Sequence, residues 1–129
     1  DEIARVDCDI FAPCALGGTL DDATVGAMKA RLICGAANNQ LAAPEVGALL
    51  LRRGIAYAPD YVVNAGGIIS VSAEYLGEEE ASVAARVAGI APRVTRILRQ
   101  AEEEKRSPAA VADEMAEAVI AGAQRAVAA

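Results

Sequence analysis

Histidine and tryptophan are absent from the 129 residues, and aromatic side chains of every kind make up only 3%. The first absence removes Ser-His and Cys-His nucleophile pairs and every histidine-containing metal site. The second leaves Phe11, Tyr57, Tyr61 and Tyr75 as the only rings on which a base could stack. Cysteine occurs three times, at Cys8, Cys14 and Cys34, with no C-x-x-C pair. An odd, sparse set of this kind predicts neither a disulfide framework nor a zinc site, and it suits a reduced, intracellular protein. No uninterrupted apolar run approaches the ~18 residues of a membrane span, and no basic region precedes an apolar run at the N-terminus. A cytoplasmic chain without a membrane partner is therefore expected. Basic residues are outnumbered, twelve Lys and Arg against eighteen Asp and Glu, and the formal charge of -6 disfavours nucleic acid as a partner.

What is present is apolar surface in a regular rhythm. At 54% hydrophobic residues the chain can bury a core, which excludes disorder and fits one domain. Short apolar runs at 6–15, 32–36 and 55–58 alternate with amphipathic segments at 24–31, 44–53 and 65–76, a β-α-β-α-β-α order. Runs such as Leu32-Ile33-Cys34-Gly35-Ala36 are continuous rather than alternating, as in parallel strands buried on both faces, so helices are expected over both faces. Asp21 and Asp22 stand where an N-cap and first-turn acid belong; Pro44 suits a first helical position, and Gly54 suits a stop. After Gly77 the strands end. Val83, Val87, Ile90, Val94, Ile97 and Ala101 form a helical stripe interrupted by Pro92, which predicts a kink or two helices. Ser107-Pro108 opens a last helix. The fold class read from this pattern is α/β, part of a larger, doubly wound parallel sheet followed by C-terminal helices. Residues 1–76 carry the strands and 77–129 the helical segment. Three strands are few for such a sheet, and the chain opens at Asp1 almost directly on a strand. Upstream sequence or association with another chain is therefore expected.

The strand C-termini are where ligands bind in open α/β sheets, and the polar punctuation lies there. Phe11-Ala12-Pro13-Cys14-Ala15-Leu16-Gly17-Gly18 has small residues that admit a flat ligand, or is simply a turn ending a strand. Cys34-Gly35-Ala36-Ala37-Asn38-Asn39-Gln40 ends in three carboxamides, able to donate and accept without charge, or merely caps the next helix. In Ala58-Pro59-Asp60-Tyr61-Val62-Val63-Asn64-Ala65-Gly66-Gly67, Asn64 suits an N-cap. Just beyond, Ile68 and Val71 share a helix face as core residues or as a pocket wall. Cys8 and Cys34 read as buried and inert, with Cys14 the accessible thiol. Glu78-Glu79-Glu80 suits a helix start and Glu102-Glu103-Glu104 a solvated face.

Together, Cys8 to Gly18, Gly35 to Leu41 and Tyr57 to Gly67 resemble the C-terminal part of the glutamate/leucine/phenylalanine/valine dehydrogenase family, with closest similarity to its leucine and valine branch. Three long motifs occur in order across most of residues 5–76. The resemblance implies that 1–76 is the second half of an NAD-binding Rossmann domain. It also implies a parent enzyme that oxidatively deaminates a branched-chain L-amino acid to its 2-oxo acid and ammonia with NAD as cofactor. It places Cys14, Ala15 and Leu16 beside the nicotinamide ribose, and Ala36, Ala37 and Asn38 at the nicotinamide. Asn38 would also touch the substrate, with Ile68 and Val71 on the substrate side-chain pocket. The expected partners are the amino acid, the upstream half of the enzyme and further copies in a homo-oligomer.

The family's catalytic lysines and aspartate and its G-x-G-x-x-G turn lie upstream and have no counterpart here. Lys29 and Lys105, the only lysines, match neither catalytic position. No catalytic residue and no metal ligand is therefore assigned, and this chain alone is not expected to turn over. The alternative is a free-standing small α/β module that binds a nucleotide or a partner protein without catalysis.

Overall fold

A computed structural model describes residues 2–127, with side chains to residue 125. A 3-10 turn at Glu2–Arg5 leads into β1 (Ile10–Phe11), α1 (Asp22–Ala27), β2 (Leu32–Ile33), α2 (Glu45–Arg52) and β3 (Ala56–Tyr57). Helices α3 (Asp60–Val63), α4 (Gly66–Leu76), α5 (Glu80–Ala88), α6 (Ile90–Glu104) and α7 (Pro108–Val127) follow. The sheet is parallel in the order β1-β2-β3, with Ile10 opposite Leu32 and Ala56, and Phe11 opposite Ile33 and Tyr57. The α/β class, parallel sheet and helical C-terminal segment are those expected.

Register explains where the core sits. Phe11, Ile33 and Tyr57 point to one face, where Val25 and Met28, from α1 and its C-terminal end, and Val46 and Leu50 of α2 close a core. The alternate row fares differently: Ile10 is 56% exposed, Leu32 half-buried and Ala56 exposed. The expectation of helices over both faces is thus corrected. Strands added in one direction through right-handed crossovers must carry both crossover helices on the same side. Cover on both sides requires the strand order to reverse, and three sequential strands do not reverse it.

A second core joins Val62 of α3 to Ile97 and Ala101 of α6 and to Val111 and Ala112 of α7. The Tyr61 hydroxyl donates to Asp113 Oδ1 at 2.6 Å and fastens α3 to α7. Burial, reinforced by that carboxylate, raises the Tyr61 pKa and keeps the phenol neutral. Pro92 does not kink a continuous helix. The break falls at Gly89, and Pro92 takes the third position of α6, within the first turn, where its missing N–H has no intrahelical partner to lose. Glu78-Glu79-Glu80 does open α5, where Glu78 receives Ser82 Oγ and Arg86 Nη1.

Asp21 caps α1 as expected, its carboxylate accepting the Thr24 N–H at 2.7 Å, which holds its pKa below the ordinary value. The other end of α1 carries a cap that sequence reasoning missed. Arg53 Nη1 donates to the carbonyls of Val25 and Gly26, and Nη2 to that of Met28 at 3.1 Å. A guanidinium here satisfies orphan carbonyls at the negative end of the helix dipole. Arg53→Ala is expected to cost about 1–2 kcal/mol in urea unfolding, and Arg53→Lys to restore only part of it, because an ammonium lacks the planar fork. Full recovery by lysine would show that charge alone suffices.

Candidate functional site at the strand ends

The three polar segments converge beyond the C-termini of the strands. Parallel pairing continues past β1 and β2 through Cys34 N to Phe11 O at 3.1 Å and Ala37 N to Pro13 O at 2.9 Å. Ala36 N then donates to Cys14 Sγ at 3.5 Å, so the first two segments touch side by side. Gly18 N donates to Asn39 O at 2.7 Å and Leu20 N to Gln40 O at 3.0 Å, and the pair runs on into a parallel bridge between Leu20 and Leu41. Asn39 adopts φ 53°, a left-handed conformation that asparagine tolerates better than most side chains.

The third segment joins through amides and one carboxylate. Asn64 Nδ2 donates to Asn38 Oδ1 at 2.6 Å and lies 3.4 Å from Ala36 O. Gln40 is fully buried; its Nε2 donates to Gly35 O at 2.8 Å and Ala37 O at 3.0 Å, while its Oε1 is buried without a partner. Its backbone N–H donates to Asp60 Oδ2 at 3.2 Å, and Tyr57 donates its hydroxyl to Asp60 Oδ1 at 3.3 Å. Burial, then the Asp60 carboxylate, drives the Tyr57 pKa far up, so the phenol stays a donor. Gln40, Asp60 and Tyr57 are thus a buried polar brace beneath the loop.

Cys14, Ala15, Leu16, Ala36 and Asn38 are exposed on this edge, while Ala37 is buried with its N–H tied to Pro13. Cys8 and Cys34 are half-buried rather than fully buried, since each lies at an end of a strand open on its far side. Asn64 does not cap the following helix. Ala65 holds that position without a side-chain bond, and Asn64 ends α3 and spends its amide on Asn38. Ile68 and Val71 are 68% and 64% exposed, and Tyr75 continues their stripe at 90%, while Ile69 and Ala73 face inward. The core reading of Ile68 and Val71 therefore fails among the described residues. Sequence reasoning missed the brace itself; its signal was a polar trio, Gln40 with Tyr57 and Asp60, beside strands otherwise apolar.

A separate cavity of about 640 Å³, lined by Leu51, Ile55, Leu98, Arg99 and Lys105 among others, opens at the start of β3. It lies at the opposite end of the strand from the amides. Among the described residues no three Cys, Asp or Glu side chains meet as a metal set, and no helix is long and apolar enough to cross a membrane.

Comparison with known proteins decides the family. The model of the Glutamate/Leucine/Phenylalanine/Valine dehydrogenase family matches residues 1–129. The chain belongs to this family. It is 50% identical to a valine dehydrogenase of Streptomyces albus over 125 residues, which is 96% of this chain and 34% of that protein. To a leucine dehydrogenase of Thermoactinomyces intermedius it is 43% identical over 117 residues, 91% of this chain and 32% of the relative. The chain therefore spans about a third of the length of the curated relatives it matches. Among solved structures, an L-tryptophan dehydrogenase from Nostoc punctiforme superposes with a TM-score of 0.89 at 41% identity, covering 96% of this chain and 37% of that one. A hetero-hexameric glutamate dehydrogenase from Thermus thermophilus, at 23% identity and a TM-score of 0.66, shares the fold. As relatives named for valine, leucine and tryptophan are of comparable similarity, side-chain preference in this dehydrogenase family must be argued from individual pocket residues.

Proposed function

We propose that the chain is the C-terminal part of an NAD-dependent L-amino acid dehydrogenase that deaminates branched-chain substrates. Residues 1–76 would be the second half of the nucleotide domain and 77–129 its helical appendix. The carrying observation is the convergence of Pro13-Cys14, Ala36-Ala37-Asn38 and Asn64 on one strand-end edge, tied by the Ala37–Pro13, Ala36–Cys14 and Asn64–Asn38 bonds. This edge suits a nicotinamide. Small side chains at Ala15 and Ala36 leave room for a flat ring, and the exposed Asn38 keeps an Nδ2 donor that no hydrogen bond among the described residues uses. NAD, when bound, would take the hydride from the amino acid Cα, leaving a 2-oxo acid and ammonia after water adds. Cys14, Ala15 and Leu16 would flank its ribose, with Ala36, Ala37 and Asn38 at the ring. Asn38 would also reach the substrate.

Ile68 and Val71 stand exposed at the start of α4, where they would wall the substrate side-chain pocket against the upstream domain. The row Ile10, Leu32 and Ala56, exposed at its two ends and half-buried at Leu32, supports that domain, or another copy, as the partner of this sheet face. A cytoplasmic homo-oligomer is the corresponding setting.

The test is NADH formation by the full-length protein across valine, leucine, isoleucine, phenylalanine and tryptophan. We expect the three branched-chain acids to be used with kcat/KM values within about 200-fold of one another, since a methylene mismatch is worth ~1–3 kcal/mol. Binding of NAD without amino-acid-dependent NADH would indicate the non-catalytic module instead. Ile68→Ala should shift preference towards bulkier side chains, and an unchanged phenylalanine-to-leucine ratio of kcat/KM would remove Ile68 from the pocket. The isolated chain should bind NAD weakly or not at all, because no glycine-rich pyrophosphate turn is in its sequence. Micromolar affinity would contradict this.

A further inference from the structure

We propose that Asn64 is a positioning residue for Asn38. Its carboxamide fixes the Asn38 side chain with Oδ1 turned inward and Nδ2 presented as a donor on the strand-end edge. The inference rests on the reading of Asn38 as the ligand-binding amide, and it goes further by assigning which of its two polar atoms meets the ligand.

The atom assignment follows from a carbonyl. Ala36 O, 3.4 Å from the Asn64 side chain, can only accept, so the Asn64 atom facing it is nitrogen. The same nitrogen stands 2.6 Å from Asn38 and must find an acceptor there, which is Oδ1. The remaining polar atom of Asn38 is then Nδ2, two donors on an exposed side chain. Asn64 is itself held. Its backbone N–H closes α3 on Asp60 O at 2.9 Å, and Asp60 is buried against Gln40 and Tyr57. The orientation of an exposed amide is thereby referred back to a buried carboxylate through one helical turn. A donor so fixed selects an sp² oxygen on the ligand, either a substrate carboxylate or the carboxamide oxygen of a nicotinamide. Side chains ordered in advance bind without the rotamer loss that a free asparagine incurs on binding.

The experiment uses the full-length protein with N38A, N64A, N64D and the double variant N38A/N64A. N64A is expected to weaken one ligand about tenfold, the value of a single hydrogen bond of ~1.4 kcal/mol. A rise in amino acid KM at unchanged NAD Kd assigns the donor to the carboxylate, and the reverse assigns it to the cofactor. N64D should be worse than N64A, because the introduced carboxylate only accepts and turns the Asn38 nitrogen inward. In the N38A background, N64A should add no further loss. Additive losses in this cycle, or N64D equal to the unmodified protein, overturn the proposal.

A full-length protein that forms no NADH with any amino acid would instead sink the dehydrogenase reading. Positioning is then decided by the crystal structure of the N64A protein. A reoriented or disordered Asn38 side chain is expected, and an Asn38 left in place overturns the inference.

Discussion

Gly35→Ala is expected to lower stability by about 3 kcal/mol or more and to separate the first two site segments. A Cβ at this position would lie 2.5 Å from Pro13 N and 2.6 Å from Pro13 Cδ, and closer still to Pro13 O. None of these atoms is the end of a flexible side chain. Pro13 is buried, its ring is rigid, and its carbonyl is committed to Ala37 N at 2.9 Å. Relief requires the backbones after β1 and β2 to move apart, which breaks that bond and the Ala36–Cys14 contact. Gly26→Ala provides the control: Gly26 lies in α1, and an added Cβ meets nothing within 4 Å. It should be neutral or stabilise by up to ~1 kcal/mol through helix propensity. Thermal and urea unfolding of the two variants test the contrast. A Gly35→Ala loss of less than 1 kcal/mol would show that the segments are not held as tightly as their separation implies.

The contrast marks what the residue pattern can and cannot reveal. Small residues at 12–18 and 35–37 are visible as small residues in any reading, and periodicity locates the strands before them. Which glycine is obligatory depends on which backbone lies opposite, and that is a tertiary fact. Gly17 is a further case, for its Cβ would come within 2.7 Å of Asn38 O. Helix starts were legible where local chemistry dictates them, at Asp21 and Pro108, because a cap or a proline acts within one turn, whereas Pro44, expected at the first helical position, stands one residue earlier as the N-cap of α2. Asn64 misled for the same reason. It has the side chain of an N-cap, but a partner 26 residues earlier offers it a better hydrogen bond. The stripe from Val83 to Ala101 has helical spacing throughout, so its division into two helices was legible only through Pro92, and the place of the break at Gly89 was not. The pair Ile68 and Val71 was legible as one face of a helix, and the structure adds Tyr75 to it. Whether that face points inward or outward depends on which neighbours pack against it.

Gln40→Glu replaces one terminal group by another of nearly equal size and is expected to make stability strongly dependent on pH. The Gln40 Nε2 supplies two donors, to Gly35 O at 2.8 Å and Ala37 O at 3.0 Å, and the side chain is fully buried. An ionised glutamate has no donor and would set its charge against two carbonyl oxygens, with the Asp60 carboxylate already bonded to the same residue's N–H. The introduced carboxyl therefore stays protonated in the folded protein, and its folded pKa rises above the unfolded value of ~4.3. For a raised pKa, stability is retained below the unfolded value and lost as pH rises towards the folded one. Near pH 4 the variant should lose about 1–3 kcal/mol, because one O–H cannot serve two carbonyls. Each pH unit above that removes a further ~1.4 kcal/mol until the folded state ionises, about 3–4 kcal/mol more by pH 7. Gln40→Leu lacks both donors but does not titrate, so its deficit should be flat across the same range. Urea midpoints from pH 4 to pH 8 separate the two. A constant gap between the unmodified protein and Gln40→Glu would mean that water reaches Gln40 and that the loop bearing Ala36 and Asn38 is supported from elsewhere. A gap that widens with pH would place the support in the two bonds beneath it.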